Sequence, residues 1–141
     1  MNHKRGFLAF LVAFVFIFFF GFVWHGLLMK PMYNATGSLW RTEPVFPVLI
    51  LGHAVLAFAF TGLYVSKVGI NSARVGFGYG IVLGILACGI NIIRFAVEPL
   101  TPTILFMWFA ADLICFAIMG ALVGAIYKPN PSLGGIVSSR A

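Results

Sequence analysis

The sequence predicts an all-α membrane protein, a four-transmembrane-helix antiparallel bundle, and three observations carry that prediction. Of the 141 residues, 62% are apolar and only 9% charged, and the mean hydropathy is +1.07. A soluble domain carries about a quarter charged residues, so a surface this poor in charge must use lipid as part of its solvent. Second, four stretches reach the about 20 apolar residues needed to cross a hydrocarbon core. Third, the positive charges are sorted between alternate connections, as topogenic charges are. The length allows one domain.

The first span, 6–29, follows Lys4 and Arg5 in the manner of a signal peptide. Its apolar part is too long for a signal h-region and no A-x-A site follows, so it reads as an uncleaved span. Residues 30–45 hold Pro31, Asn34, Gly37, Arg41, Glu43 and Pro44, the content of an irregular loop. Span two, 46–65, starts with Pro44 or Pro47 in its first turn, where a missing N–H does little harm. The turn KVGINSARVG leads into span three, 75–97, with Asn71 or Ser72 as cap. Glu98-Pro99 ends that span, and Thr101-Pro102 starts span four, 103–127, as cap and first-turn proline. The bundle therefore covers 1–127. The Gly-, Ser- and Pro-rich segment 128–141 reads as a flexible tail.

Lys4, Arg5, Lys67, Arg74, Lys128 and Arg140 fall on one side of this arrangement, and Lys30, Arg41 and Arg94 on the other. The richer side is expected in the cytoplasm, with both termini. Nine Lys and Arg residues scattered in this way form no basic stripe with interleaved aromatics, so nucleic acid is not an expected partner. Asn34-Ala-Thr36 on the outer loop is formally a glycosylation sequon, a triplet common by chance.

The polar residues of the spans share one level. Counting about 1.5 Å per residue from the outer ends places Arg94 and His25 about 5 and 7 Å deep, His53 and Asn91 about 10 Å, and Asp112 about 15 Å. Glu98 marks the rim, and all three acidic residues, Glu43, Glu98 and Asp112, belong to the outer half. At 100° per residue, Gly80, Gly84, Ala87, Asn91, Arg94 and Glu98 lie on one face of span three. The inner half of that face is small, suiting close helix contact, and Glu98 follows Arg94 at i+4 as an ion partner. On span four, Trp108, Asp112, Phe116 and Met119 share a face beside Gly120 and Gly124. His53 shares a face with Leu49, Ala57, Phe60 and Tyr64, and His25 shares one with Phe14, Phe18 and Gly21. A charge at mid-bilayer costs about 2.5–3.5 kcal/mol, so Asp112 is expected to face protein, with Arg94, His53 or His25 as its partner.

Four readings of this level compete. A purely structural polar network would lock the helices together, at only about 0.6 kcal/mol per interhelical hydrogen bond. His25 and His53, with Asp112 or Glu98, could instead ligate a transition metal, or the two histidines could clamp a haem whose propionates meet Arg94 or Arg41; no HxxxH or ExxH spacing accompanies them. A proton-coupled small-solute transporter would use the same Asp, His and Arg residues as an oligomer. Enzyme chemistry lacks its motifs: there is no GxSxG, P-loop or HExxH. Cys88 and Cys115, in mid-span without CxxC spacing, read as packing residues.

The stretches FGFVWHGLLMKPMY and EPLTPTILFMWFAADLICFAIMGALVGAIY resemble those of small uncharacterised bacterial inner-membrane proteins with four spans. The shared features are an aromatic-ended first helix running into a Tyr- or Trp-bearing loop, and a small-residue last helix. The resemblance implies a bacterial four-helix inner-membrane protein and transfers no activity. The combined expectation is a small non-enzymatic accessory or assembly subunit. Its glycine faces would pack against other membrane subunits or a second copy. Its outer pocket of His25, His53, Asn91, Arg94, Glu98 and Asp112 would anchor a partner, a lipid headgroup or a small ligand.

Overall fold

The computed structural model describes residues 2–41 and 43–129, and every regular element within them is helical. Four helices are long and apolar enough to cross a membrane: α1 (His3–Leu28), α3 (Phe46–Val68), α4 (Ala73–Val97) and α5 (Pro102–Ile126). A short α2 (Lys30–Ala35) follows α1. The chain is a multi-pass membrane protein, a four-helix bundle. From residue 130 onward the predicted tail, with Arg140, lies outside the described residues. The end carrying residues 29–45 and 98–101 is called the loop end below, and the opposite end the terminal end.

Local chemistry sets most boundaries. Asn2 caps α1 by accepting from the Arg5 N–H at 3.2 Å, and Pro47 occupies the first turn of α3. Ser72, not Asn71, caps α4 through the Val75 N–H at 3.3 Å, and Thr101 caps α5 with Pro102 behind it. Asn71 serves the far end of α5 instead. Its Nδ2 donates to the carbonyls of Gly124, Ala125 and Tyr127 at 3.2, 3.0 and 2.8 Å, groups that a helix end leaves without an internal partner.

Two features depart from the expected pattern. The connection 30–45 is not irregular throughout: it holds α2 and a 3-10 turn, Gly37–Leu39. Pro31 pre-sets the first turn of α2. Thr36 then closes it, donating to the Tyr33 carbonyl and accepting from Trp40 Nε1, both at 2.7 Å. The other departure is that α1 ends in a π-helical stretch, Phe22–Leu28, where Met29 N–H reaches back five residues to the Trp24 carbonyl at 2.9 Å. Such turns are rare and recur at functional sites because they rotate the side chains that follow. α3 ends likewise over Tyr64–Val68. There Gly69 takes the left-handed conformation, φ 63°, that lets its N–H reach the Tyr64 carbonyl.

α4 and α5 make the most extensive contact in the bundle, while α1 lies across α3 and α5. Gly76, Gly80 and Gly84 of α4 and Gly120 and Gly124 of α5 are all buried. A Cβ at Gly80 would overlap the Phe116 carbonyl, and Cβ atoms at Gly76 and Gly120 would each overlap the other's carbonyl. Backbone meets backbone. Gly76, Gly80 and Gly84 thus pack against α5 of the same chain, the close helix contact that small residues at these positions allow.

α3 and α4 meet chiefly near the terminal end. Tyr79 donates to the Phe60 carbonyl at 2.8 Å, and its ring lies 4.8 Å from Phe60 and 5.2 Å from Tyr64. Two apolar cores result. One, around Ala13, Phe60, Tyr64, Met119 and Val123, fills the terminal half; the other, Met29, Leu100, Ile104 and Trp108, lies under the loop end. Outward-facing residues stay apolar, with Ile93 and Phe58 each 69% exposed. That outer surface suits hydrocarbon rather than water.

Candidate functional site

Between the two cores the bundle contains a cavity of about 380 Å³, lined by His25, Tyr33, Trp40, Asn91, Arg94, Trp108 and Asp112. The volume falls within the range of small-molecule sites. Five structural elements supply its walls: the π-helical end of α1, α2, the segment after the 3-10 turn, α4 and α5.

The Tyr33 hydroxyl is the junction of one wall. It accepts from Trp108 Nε1 at 2.8 Å and lies 2.7 Å from His25 Nδ1 and 3.3 Å from Met29 Sδ. Indole N–H is a donor only, so the phenol proton is left for His25 or Met29. With the imidazole proton on Nε2, Tyr33 donates to Nδ1, and with the proton on Nδ1, His25 donates to Tyr33 while the phenol turns to Met29 Sδ. α1 is held in place by Trp24, whose Nε1 donates to the Met107 carbonyl at 3.2 Å.

Tyr33 lies beyond the spans, and burial pushes its phenol up from the usual value of 10.0, against smaller opposing effects of the Trp108 N–H and the Arg94 charge. A raised folded-state value means that folding favours the neutral phenol. The resulting stability is fully present below the unfolded value and is lost as pH rises through the folded one. Thermal unfolding of detergent-purified protein is therefore expected to show a loss of stability above about pH 10 that is smaller in Tyr33→Phe. Identical pH profiles for the two proteins would contradict this.

The opposite wall carries charge. Arg94 grips Glu98 with two bonds, Nε to Oε1 at 3.0 Å and Nη2 to Oε2 at 2.9 Å. Its guanidinium carbon stands 4.6 Å from the centre of the Trp108 ring, a cation–π distance. This is the one salt bridge among the described residues. Asp112 accepts from Asn91 Nδ2 at 2.7 Å. The expected ion partners, Arg94, His53 and His25, do not reach Asp112; Asn91, one helical turn below Arg94 on the same face of α4, reaches it first. With Arg94 and Glu98 compensating each other, the Asp112 carboxylate is the cavity's unmatched charge.

Of the six residues expected to form the pocket, His25, Asn91, Arg94 and Asp112 line the cavity, while Glu98 acts on it only through Arg94. His53 is not part of its lining. Its Nδ1–H donates to the Leu49 carbonyl at 2.7 Å. The other edge of the ring points at α1, with Nε2 only 3.0 Å from where a Cβ on Gly21 would sit, and it meets Phe18 edge-on. His53 thus takes the Phe18–Gly21 face of α1, and the π-helical stretch turns His25 off that face toward Tyr33.

The two histidines are held by different partners: His53 Nε2 stands 3.0 Å from where a Cβ on Gly21 would sit, and His25 Nδ1 is bonded to Tyr33. Among the described residues no three His, Cys, Asp or Glu side chains gather as a metal-ligand set. Cys88 and Cys115 are free thiols, Cys115 buried in the core.

Sequence reasoning missed Tyr33 and Trp40 as site residues and saw Trp108 only as a neighbour of Asp112. The available signal was their type, amphipathic rings at a membrane interface; α2, which folds them back over the bundle, had no such signal. No family model, no curated protein and no solved structure matches the chain, so the site is read from its own geometry.

Proposed function

We propose that the chain is a small non-enzymatic membrane accessory protein whose cavity holds a ligand bearing a positively charged amine. One observation carries the reading: Asp112 presents a carboxylate with no cationic partner among the described residues to a cavity walled by Tyr33, Trp40 and Trp108. Aromatic faces and a desolvated carboxylate attract an ammonium group additively, the first through the ring quadrupole and the second through charge. The charge distribution of the loops supports an orientation with the termini in the cytoplasm and the cavity near the external surface of a bacterial inner membrane.

The test uses the tryptophans. Trp40 and Trp108 line the cavity, so indole emission reports its occupancy. Titration of detergent-purified protein with tetramethylammonium and with phosphoethanolamine is expected to give a saturable change. Asp112→Asn, which keeps the shape and removes the charge, is expected to weaken it about tenfold, equivalent to about 1.4 kcal/mol. Absence of a saturable signal with both probes, at ionic strength matched by sodium chloride, would overturn the proposal.

A further inference from the structure

His25 is a titratable group in the wall of a cavity that offers a carboxylate to a cation. Its Nδ1 lies 2.7 Å from the Tyr33 hydroxyl, and its ring lines the same space as Asp112. Its Nε2 has no hydrogen bond among the described residues. The residue is exposed at the loop end, so a proton reaches it without crossing the bundle. The bonds around Tyr33 suit either charge state. A neutral imidazole accepts the phenol proton or donates its own, whereas an imidazolium donates from both nitrogens. Tyr33 then accepts from His25 and from Trp108 and turns its proton to Met29 Sδ, 3.3 Å away. Charging His25 therefore strands no donor in this wall.

The groups that face His25 come from every neighbouring element. Tyr33 on α2 is bonded to it and neutral at physiological pH. His53 on α3 acts on it as a like charge when protonated. Arg94 on α4 is compensated by Glu98, and Asp112 on α5 is the cavity's unmatched carboxylate. A space of about 380 Å³ is roughly 9 Å across, less than the ~10 Å over which 0.1 M salt screens charge. A cation anywhere inside it is repelled by an imidazolium in its wall.

We propose that His25 makes the cavity a proton-sensitive amine site, in which a charged His25 and an ammonium group beside Asp112 exclude each other. This rests on the cavity reading above and adds its regulation. While His25 is neutral, Asp112 is free to hold the amine. Once His25 is charged, the chain supplies the compensating positive charge itself and the amine leaves. Linkage makes the effect reciprocal: bound ammonium keeps His25 neutral to a lower pH by the same factor.

The experiment follows the histidine ring resonances of detergent-purified protein by NMR from about pH 8 to about pH 4, a range that spans the ordinary imidazole midpoint of about 6.5. It is run without and with saturating tetramethylammonium, at ionic strength matched by sodium chloride. His25→Asn identifies the His25 resonance by its loss. Tetramethylammonium is expected to lower the midpoint of that resonance by about one pH unit, the counterpart of about tenfold weaker binding to the charged form. Acid also neutralises Asp112, with the same sign, and that contribution survives in His25→Asn. In the indole titration the acid-induced loss of affinity is therefore expected to be smaller in His25→Asn than in the parent by about tenfold. An unmoved midpoint, or an equal acid-induced loss in the two proteins, would overturn the inference and leave the small-amine cavity standing. Absence of a saturable signal at about pH 8, where imidazole is neutral, would overturn both readings.

Discussion

Gly80→Ala is expected to destabilise the bundle by about 2 kcal/mol, within the range of overpacking, and Gly80→Leu by more. The added Cβ would overlap the Phe116 carbonyl, and backbone cannot move aside as a flexible side chain can. α4 would have to separate from α5 along their whole contact. Two other glycines of α4 provide an internal scale. A Cβ at Gly84 would sit 3.2 Å from the Asp112 carbonyl and from Leu113 Cα, a strain that a shift of a few tenths of an ångström relieves. A Cβ at Gly78 would meet nothing within 4 Å. Unfolding in mixed micelles titrated with dodecyl sulfate should rank the alanine variants Gly78, Gly84, Gly80 in order of increasing loss. Gly78→Ala should stay within about 0.5 kcal/mol of the parent, as open surface positions do. Equal stability of all three would mean that α4 and α5 do not touch through backbone.

Tyr33→Phe is expected to carry the second-largest cost, and to fall on both stability and site. It removes one oxygen that satisfies two groups, the Trp108 indole N–H and His25 Nδ1. Interhelical hydrogen bonds in lipid average about 0.6 kcal/mol, whereas a buried donor left without an acceptor costs about 1–3 kcal/mol. The larger figure governs here because Trp108 is 5% exposed and its N–H has no second acceptor among the described residues. Trp108→Phe removes that stranded donor. In the double variant the losses should therefore be sub-additive by about 1 kcal/mol, as expected for groups sharing one bond. Strict additivity in the same micelle titration would place Tyr33 and Trp108 in separate environments and dissolve the wall they form.

The parts of the site that were legible in the sequence are those that depend on one helix. Arg94 and Glu98 stand four residues apart, and i+4 neighbours touch on any α-helix. Asn91 could be assigned to the protein-facing side of α4 because Gly80, Gly84 and Arg94 share its phase. Asp112 could be assigned to the interior because a carboxylate facing acyl chains is costly. The error over His25 and His53 has a single local origin. A constant 100° per residue carries His25 onto the face of Gly21, whereas the i→i+5 bonding of Phe22–Leu28 breaks that phase before His25 is reached. No residue type announces a π-helical turn, so the two imidazoles could be matched in depth but not in direction.

The glycines show the same limit. Small residues at Gly80, Gly84, Gly120 and Gly124 announce a close helix contact, and they are silent on whether the neighbour belongs to the same chain. Only packing decided that α4 spends this face on α5 and leaves an open space between α3 and α4, bordered by Asn91 and Asp112. Hydropathy, capping and charge asymmetry act over one helix or one loop, and so the amino-acid sequence by itself determined four membrane-spanning helices, their ends and the residues of their polar level. Direction and partnership depend on backbone geometry summed over several elements. The tertiary structure alone decided that Tyr33 and Trp40 close the cavity, that His53 turns away from it, and that Asp112 is left without a counter-charge.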